Sequence, residues 1–197
     1  MKVRFFWILF LFIGCASIEA NKLNLISDEE MAESPPKIIE LIIDETPYDL
    51  WGSIRNELTL KIPQDYVEAE IYRDRFRNNQ HVVNRISKSG QRYLYYTVKR
   101  AKELGVPIEL ALLPFVESEF DPYALSVYGA SGIWQFLPAT GEEWGLKSNW
   151  WYDGKRDVIA STEAAFSFLI YLNKKFDGDW LLAMAAYNAG PTRVNRA

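Results

Sequence analysis

Two segments in the second half of the chain are apolar on nearly every helical face, and they constrain the fold most. Residues 164–172 and 180–189 contain no charged side chain. A helix that is apolar all round has to be buried, because no side of it can face water. Residues 176–179 read Phe-Asp-Gly-Asp, which is typical of a turn, and Gly190 would end the second helix. This pattern predicts two buried helices joined by a turn.

Further helices are predicted upstream. Residues 91–104 repeat apolar side chains at helical spacing, and Gly105 follows as a stop. Residues 108–113 continue as helix until a bend near Pro114, because proline has no backbone N–H to donate. The predicted buried face of the first of these helices consists of Leu94, Val98 and Ala101.

An apolar run, residues 111–116, ends in Glu117. Desolvation disfavours an ionised carboxylate and raises its pKa, and a carboxylic acid that is protonated near neutral pH can protonate a leaving oxygen. Glu119 lies two residues further, so on a helix it faces away and is expected to be solvated. Asp121 precedes a proline and is expected to cap the next turn. Spacing alone favours a plain surface acid at position 117, and the motifs that follow favour a catalytic one.

The next motif, residues 129–136, reads Gly-Ala-Ser-Gly-Ile-Trp-Gln-Phe. Its two glycines allow a tight turn and close backbone approach, and Gln135 offers a two-way hydrogen-bonding amide. We expect Ser131 to cap a helix that closes at residues 140–141. The aromatic-rich loop at 144–152 is expected to be mostly core, with a sugar-binding platform as the alternative. Ser161 is expected to be the N-cap of the first apolar helix.

Charge and rare residues exclude several functions. The net charge of −4 gives no basic stripe for nucleic acid. His81 is the only histidine and Cys15 the only cysteine, so a zinc site of the usual kind, a Cys-His nucleophile pair and an internal disulfide lack parts. No metal or cofactor is expected.

The amino terminus reads as an export signal. Lys2 and Arg4 precede an apolar run, residues 5–13, that is too short to span a bilayer. The run closes at Cys15 and resembles the lipobox of bacterial lipoproteins. That resemblance implies cleavage before Cys15, acylation of the cysteine, and, with Ala16 next, the periplasmic face of the outer membrane. An ordinary signal peptide or a buried first helix are the alternatives.

Four regions follow from these patterns. Residues 1–15 are the lipoprotein signal, and residues 16–46 are polar and acidic, as expected of a flexible tether. Residues 47–104 form a helical arm that begins at a cap near Asp49. Residues 105–197 form the catalytic domain.

Residues 186–190 read Ala-Tyr-Asn-Ala-Gly and place a polar pair, Tyr187 and Asn188, at the end of an apolar helix. Together with residues 117–118 and 129–136, this segment resembles the soluble-type (SLT) lytic transglycosylase domain. Segments 116–118, 133–136 and 149–154 are most similar to the membrane-bound branch of that family. The resemblance implies an all-α, lysozyme-like domain that acts on peptidoglycan glycan strands, with Glu117 catalytic. It implies substrate-binding roles for Ser118, Gln135, Tyr187 and Asn188.

The implied enzyme is a lyase with one acid/base. Glu117 would cleave the bond between N-acetylmuramic acid and N-acetylglucosamine without water and leave a 1,6-anhydro end. Two alternatives stay open, a lysozyme-type muramidase that uses water and a non-catalytic peptidoglycan-binding lipoprotein. Family domains carry a further tyrosine-bearing helix beyond the Ala-Tyr-Asn motif. The resemblance therefore implies that the domain lacks its C-terminal end here.

Overall fold

The computed structural model describes residues 49–61, 70, 73–74 and 76–196, and their regular elements are helices. This confirms the predicted all-α class. The predicted signal, residues 1–15, and the tether, residues 16–46, lie outside the described residues. Pairing in the loops is limited, within the described residues, to isolated antiparallel bridges. The helices are α1 (Leu50–Asn56), α2 (Gln80–Gly90), α3 (Leu94–Leu104), α4 (Ile108–Ala111), α5 (Leu113–Glu117), α6 (Pro138–Glu143), α7 (Val158–Lys175), α8 (Trp180–Ala189) and α9 (Pro191–Val194).

The two helices predicted to be buried, α7 and α8, pack against each other. Their inner faces are fully buried, while Tyr171 and Leu182 lie on exposed edges, so burial is not complete on every side. The N-cap of α7 is Asp157, whose carboxylate accepts hydrogen bonds from the N–H groups of Ile159 and Ala160. The predicted N-cap Ser161 is wrong, because that residue lies buried inside the helix.

Helix α3 forms the neighbouring wall of the core. Its predicted buried face is confirmed, and Gly105 ends it in the left-handed conformation. Arg100 joins α3 to α7 through a fork on Glu163, with Nε and Nη2 lying 2.6 and 2.8 Å from the two carboxylate oxygens. The hydrogen bonds from Arg100 lower the pKa of Glu163, so this carboxylate stays ionised at neutral pH.

The helix that carries the candidate acid is short because of a proline. Pro114 lies in the first turn of α5, where its missing N–H costs nothing. The helical hydrogen bonding is interrupted at Leu112, between α4 and α5. The predicted bend is confirmed, two residues before the proline. Helix α5 ends at Glu117, so the carboxylate lies at the end of an otherwise buried helix.

The N-terminal arm contacts both of these short helices, α1 packing on α5 and residues 59–60 binding α4. The Trp51 ring of α1 stacks on Phe115 of α5 at 5.9 Å between centroids. Glu109 of α4 is buried, and its Oε1 accepts hydrogen bonds from the N–H groups of Thr59 and Leu60 at 2.6 and 2.7 Å. The arm is thus fixed to the segment that leads into Glu117.

Candidate active site

The motif at residues 129–136 folds as a tight turn rather than as the start of a helix. Gly132 and Gln135 have positive φ angles of 78° and 51°, and the N–H of Ser131 donates to the carbonyl of Phe136. The predicted helix cap at Ser131 is therefore wrong. Helix α6 begins instead at Pro138, which suits a first helical turn. We call residues 129–136 the glycine turn.

The glycine turn is held in place on both sides. A Cβ atom at Gly132 would lie 1.7 Å from the carbonyl oxygen of Lys155, so only glycine fits there. On the other side, the buried Trp134 ring packs edge-on against Phe166, and its Nε1 donates to the hydroxyl of Thr162 at 2.9 Å. These contacts fix the conformation of the glycine turn, which forms one wall of the candidate active site.

Ser118, the residue after Glu117, contacts the glycine turn at the end of α5. Glu117 is partly buried. The Ser118 hydroxyl lies 2.9 Å from the carbonyl oxygen of Ile133 in the glycine turn and 3.3 Å from that of Pro114. Since a hydroxyl has one proton to donate, the shorter contact is the better bond. Ser118 thereby fixes the end of the Glu117 helix against the turn.

Tyr187 approaches the same wall from α8. Its hydroxyl donates to the carbonyl of Trp134 at 2.9 Å. Burial raises the pKa of the Tyr187 hydroxyl well above its usual 10.0, and the negative charge of Glu117 adds to the rise. The hydroxyl therefore stays protonated at neutral pH and lies within the field of the Glu117 carboxylate.

Gln135 and Asn188, the remaining two predicted site residues, differ in their hydrogen bonding. Gln135 donates from Nε2 to the carbonyl of Gly132 at 2.9 Å and, at 3.4 Å, to that of Ala124. It therefore belongs to the wall. Asn188 is partly buried in the last turn of α8, and its side chain makes no hydrogen bond within the part of the chain that the structure describes. The geometry brings together Glu117, Ser118, Gln135 and Tyr187, whereas Asn188 is linked to them only through its helix.

A strained turn follows Glu117 directly. Glu119 and Phe120 have positive φ angles of 54° and 59°, which cost side-chain-bearing residues about 1–2 kcal/mol each. Arg85 of α2 holds Glu119 in a fork, with Nε and Nη2 lying 3.0 and 2.8 Å from the two carboxylate oxygens. The Ser89 hydroxyl also bonds to the Glu119 carbonyl. The Glu119 side chain is 43% exposed, as expected of a solvated residue, but its pairing with Arg85 was not predicted.

Sequence reasoning missed this support. Arg85 lies in a charge-rich segment, residues 67–86, that the sequence predicts as an exposed helix, and nothing in the spacing of Arg85 or Ser89 points to Glu119. The pair also changes the chemistry that is available, since Glu119 is committed to Arg85 and cannot act as a second free carboxylate. Among the described residues, no group of three or more His, Cys, Asp or Glu side chains could hold a metal ion.

Comparison with known proteins assigns the chain to a family. The transglycosylase SLT domain model matches residues 94–197. Membrane-bound lytic murein transglycosylase D of Escherichia coli (strain K12) is 44% identical over 150 residues, which cover 76% of this chain and 33% of that protein. A putative tributyltin chloride resistance protein of Alteromonas sp. (strain M-1) is 49% identical over 111 residues, 56% of this chain and 54% of that protein.

A third relative is the peptidoglycan transglycosylase gp16 of Escherichia phage T7, 39% identical over 101 residues, 49% of this chain and 7% of that protein. The chain spans about a third of the length of the E. coli relative. The family model covers more than half of the chain and includes Glu117, the glycine turn and the Ala-Tyr-Asn segment. The chain therefore belongs to the transglycosylase SLT domain family.

Proposed function

We propose that the protein is a peptidoglycan lytic transglycosylase. It cleaves the β-1,4 bond between N-acetylmuramic acid and N-acetylglucosamine and leaves a 1,6-anhydro end. The observation that carries this proposal is that Ser118, the residue after Glu117, and Tyr187 both bind the glycine turn, and that the charge of Glu117 acts on the Tyr187 hydroxyl. Membership of the SLT family and the names of two relatives, both transglycosylases, support it.

In the first step Glu117 acts as the acid. Its carboxyl proton passes to the glycosidic oxygen as the bond from that oxygen to the anomeric carbon of the muramoyl residue breaks. N-acetylglucosamine leaves as an alcohol, and the 2-acetamido group of the muramoyl residue stabilises the positive charge. This step needs the protonated carboxyl of Glu117, which lies partly buried at the end of an apolar helix.

In the second step the same residue acts as the base. The Glu117 carboxylate takes the proton of the C6 hydroxyl, and the C6 oxygen forms a bond to the anomeric carbon of the same sugar. No water enters, and Glu117 returns to its starting form. One carboxylate is sufficient, in contrast to the paired carboxylates of most glycosidases. The pairing of Glu119 with Arg85 agrees with such a single-carboxylate site.

The residues around Glu117 bind and orient the glycan strand. Ser118 donates its proton to the wall, and its hydroxyl oxygen is left to accept a hydrogen bond from the acetamido N–H. Gln135 commits its amide nitrogen to the wall, so its amide oxygen is the atom it would offer to the glycan. Tyr187 fixes the turn beside Glu117, and Asn188 contacts the glycan from the end of α8.

Product analysis tests the proposed reaction. Purified peptidoglycan is digested with the protein, and the soluble fragments are analysed by mass spectrometry. Anhydro ends are expected. Reducing ends would identify a muramidase on the same fold, and strand binding without any cleavage would identify a peptidoglycan-binding protein; either result would overturn the proposal.

We further propose that Arg85 is a positioning residue for Glu117. Its fork on Glu119 holds a left-handed turn that begins two residues after the acid. Arg85→Ala is expected to lower kcat about tenfold with little change in KM, because the turn relaxes and the carboxylate loses its alignment. Steady-state cleavage of soluble glycan strands measures both constants.

Two further variants separate positioning from a general loss of stability. Exchanging the charges in Arg85→Glu with Glu119→Arg is expected to recover part of the lost kcat. Arg77→Ala removes an ion pair with Asp74 and is expected to leave kcat unchanged. A kcat for Arg85→Ala equal to that of the wild type, with the protein folded, would contradict the positioning role.

We propose that the protein is a lipoprotein anchored through Cys15 at the periplasmic face of the outer membrane. The charged start, the short apolar run and the cysteine support this, as does the name of the E. coli relative, which is membrane-bound. Within the described residues no helix is both long and apolar enough to cross a bilayer. Acyl chains contribute about 0.8 kcal/mol for each buried methylene, so several chains would hold the protein firmly.

Replacement of the cysteine tests the anchor. Cys15→Ala is expected to move the protein from the outer-membrane fraction to the soluble fraction and to abolish labelling by a radioactive fatty acid. Retention in the membrane fraction without any label on the wild-type protein would contradict lipidation.

A further inference from the structure

Two adjacent tryptophans are the most exposed large aromatic residues in the part of the chain that the structure describes. Trp150 and Trp151 are 88% and 90% exposed. The sequence placed the loop that contains them mostly in the core. That prediction is correct for Trp144, which packs against Phe168 and Tyr171, and wrong for the tryptophan pair. Burying an indole is strongly favourable, so two indoles left in water indicate a surface that meets a ligand.

The loop that carries the pair is well ordered by its own hydrogen bonds. The Asn149 side chain accepts bonds from the N–H groups of Trp151 and Tyr152, both at 2.8 Å. The Tyr152 hydroxyl donates to Asp157, the N-cap of α7, at 3.0 Å. The two indole rings stand nearly perpendicular, with centroids 6.5 Å apart. The backbone that carries both rings is therefore ordered before a ligand binds, which lowers the entropy lost on binding.

The base of the loop is attached to the glycine turn. Lys155 has only 11% of its side chain exposed, and its Nζ donates to Asp153 at 2.7 Å and to Ser148 at 3.1 Å, closing the loop. The backbone carbonyl of the same Lys155 lies directly against Gly132. The tryptophan pair and the candidate active site therefore share one rigid support.

The composition of the loop favours a carbohydrate over a lipid surface. The tip of the loop, residues 148–153, contains aromatic and polar side chains without aliphatic or basic ones; the basic residues beside it are Lys147, Arg156 and Lys155, which is bound to Asp153. Segments that insert into anionic membranes combine apolar residues with lysine and arginine. Indole faces carry partial negative charge and attract the C–H groups of a sugar ring, while neighbouring amides and hydroxyls serve its hydroxyl groups.

We propose that Trp150 and Trp151 form an accessory binding platform for the peptidoglycan glycan strand, outside the position of bond cleavage. The identity of the polymer rests on the proposed function. The platform would hold sugars distant from the scissile bond, so that the strand stays bound while the catalytic carboxylate acts. It would raise affinity for long strands and would not affect the chemistry of a short fragment.

Binding measured without cleavage tests the platform. All proteins carry Glu117→Gln and Cys15→Ala, so that neither cutting nor a lipid anchor interferes. Co-sedimentation with purified peptidoglycan sacculi is expected to weaken about tenfold in Trp150→Ala with Trp151→Ala. The matched pair Trp150→Phe with Trp151→Phe keeps aromatic faces and is expected to retain most of the affinity.

If the tryptophan pair binds something other than the glycan strand, the binding measurements will differ. Equal sacculus binding by the alanine and parent proteins would overturn the platform, and so would binding to phosphatidylethanolamine–phosphatidylglycerol vesicles that is lost in the alanine variant. With Glu117 intact, the alanine variant is expected to show a raised KM on long strands and unchanged cleavage of the shortest fragment that is cut. Failure of the proposed function would appear instead in the products of the wild-type protein, independently of the sacculus binding.

Discussion

Glu117→Gln is expected to lower the rate of peptidoglycan cleavage by about a thousandfold or more. Glutamine has the shape of glutamate but can neither protonate the glycosidic oxygen nor accept the proton of the C6 hydroxyl. Both proposed steps use this residue, so both are lost together. Release of soluble fragments from sacculi measures the rate, and co-sedimentation is expected to show unchanged binding.

A matched variant controls for the loss of a surface charge. Glu143 lies exposed on α6, and Glu143→Gln is expected to cleave at the wild-type rate. Thermal unfolding should show that both variants are folded. Cleavage by Glu117→Gln within tenfold of the wild type would remove Glu117 from the acid/base role.

Gly132→Ala is expected to cost about 4 kcal/mol or more of folding free energy and to abolish activity. The new Cβ would lie 1.7 Å from the Lys155 carbonyl oxygen, and the residue already has a φ angle of 78°. The backbone of the glycine turn or of the Lys155 segment would have to move, which would displace the carbonyls that bind Ser118 and Tyr187. Chemical denaturation and strand cleavage measure the two effects.

Gly145 is the matched control. Its φ angle is 81°, but a Cβ there would meet no atom within 4 Å. Gly145→Ala is expected to cost only the strain of the left-handed conformation, about 1–2 kcal/mol, and to keep activity. If both variants lost the same stability, the close approach of Lys155 to the glycine turn would not be what holds this wall in place.

The sequence was sufficient for the helices of the core because their signals are local. Gly105 and Gly190 end α3 and α8 where predicted. The interruption of the helix before α5 follows from the missing backbone N–H of Pro114. The motifs around Glu117 and Tyr187 were found from residue type and order. Their convergence on the backbone carbonyls of Ile133 and Trp134 was not visible, because a carbonyl has no sequence signature.

The features that were missed depend on tertiary contacts and on loop closure, which residue type and order do not reveal. The Ser131 cap failed because the glycine turn is closed by pairing with Phe136 and by its contact with Lys155. The pairing of Glu119 with Arg85 was not predicted, because the two residues lie 34 positions apart. The exposure of Trp150 likewise follows from how its loop is closed, which amino-acid composition does not encode.

Cleavage in water enriched in heavy oxygen tests the central claim most directly. In the proposed reaction the C6 hydroxyl of the muramoyl residue supplies the attacking oxygen, so mass spectrometry should find anhydro ends without the heavy isotope. Incorporation of one heavy oxygen at each new reducing end would show that water is the nucleophile and would contradict the account.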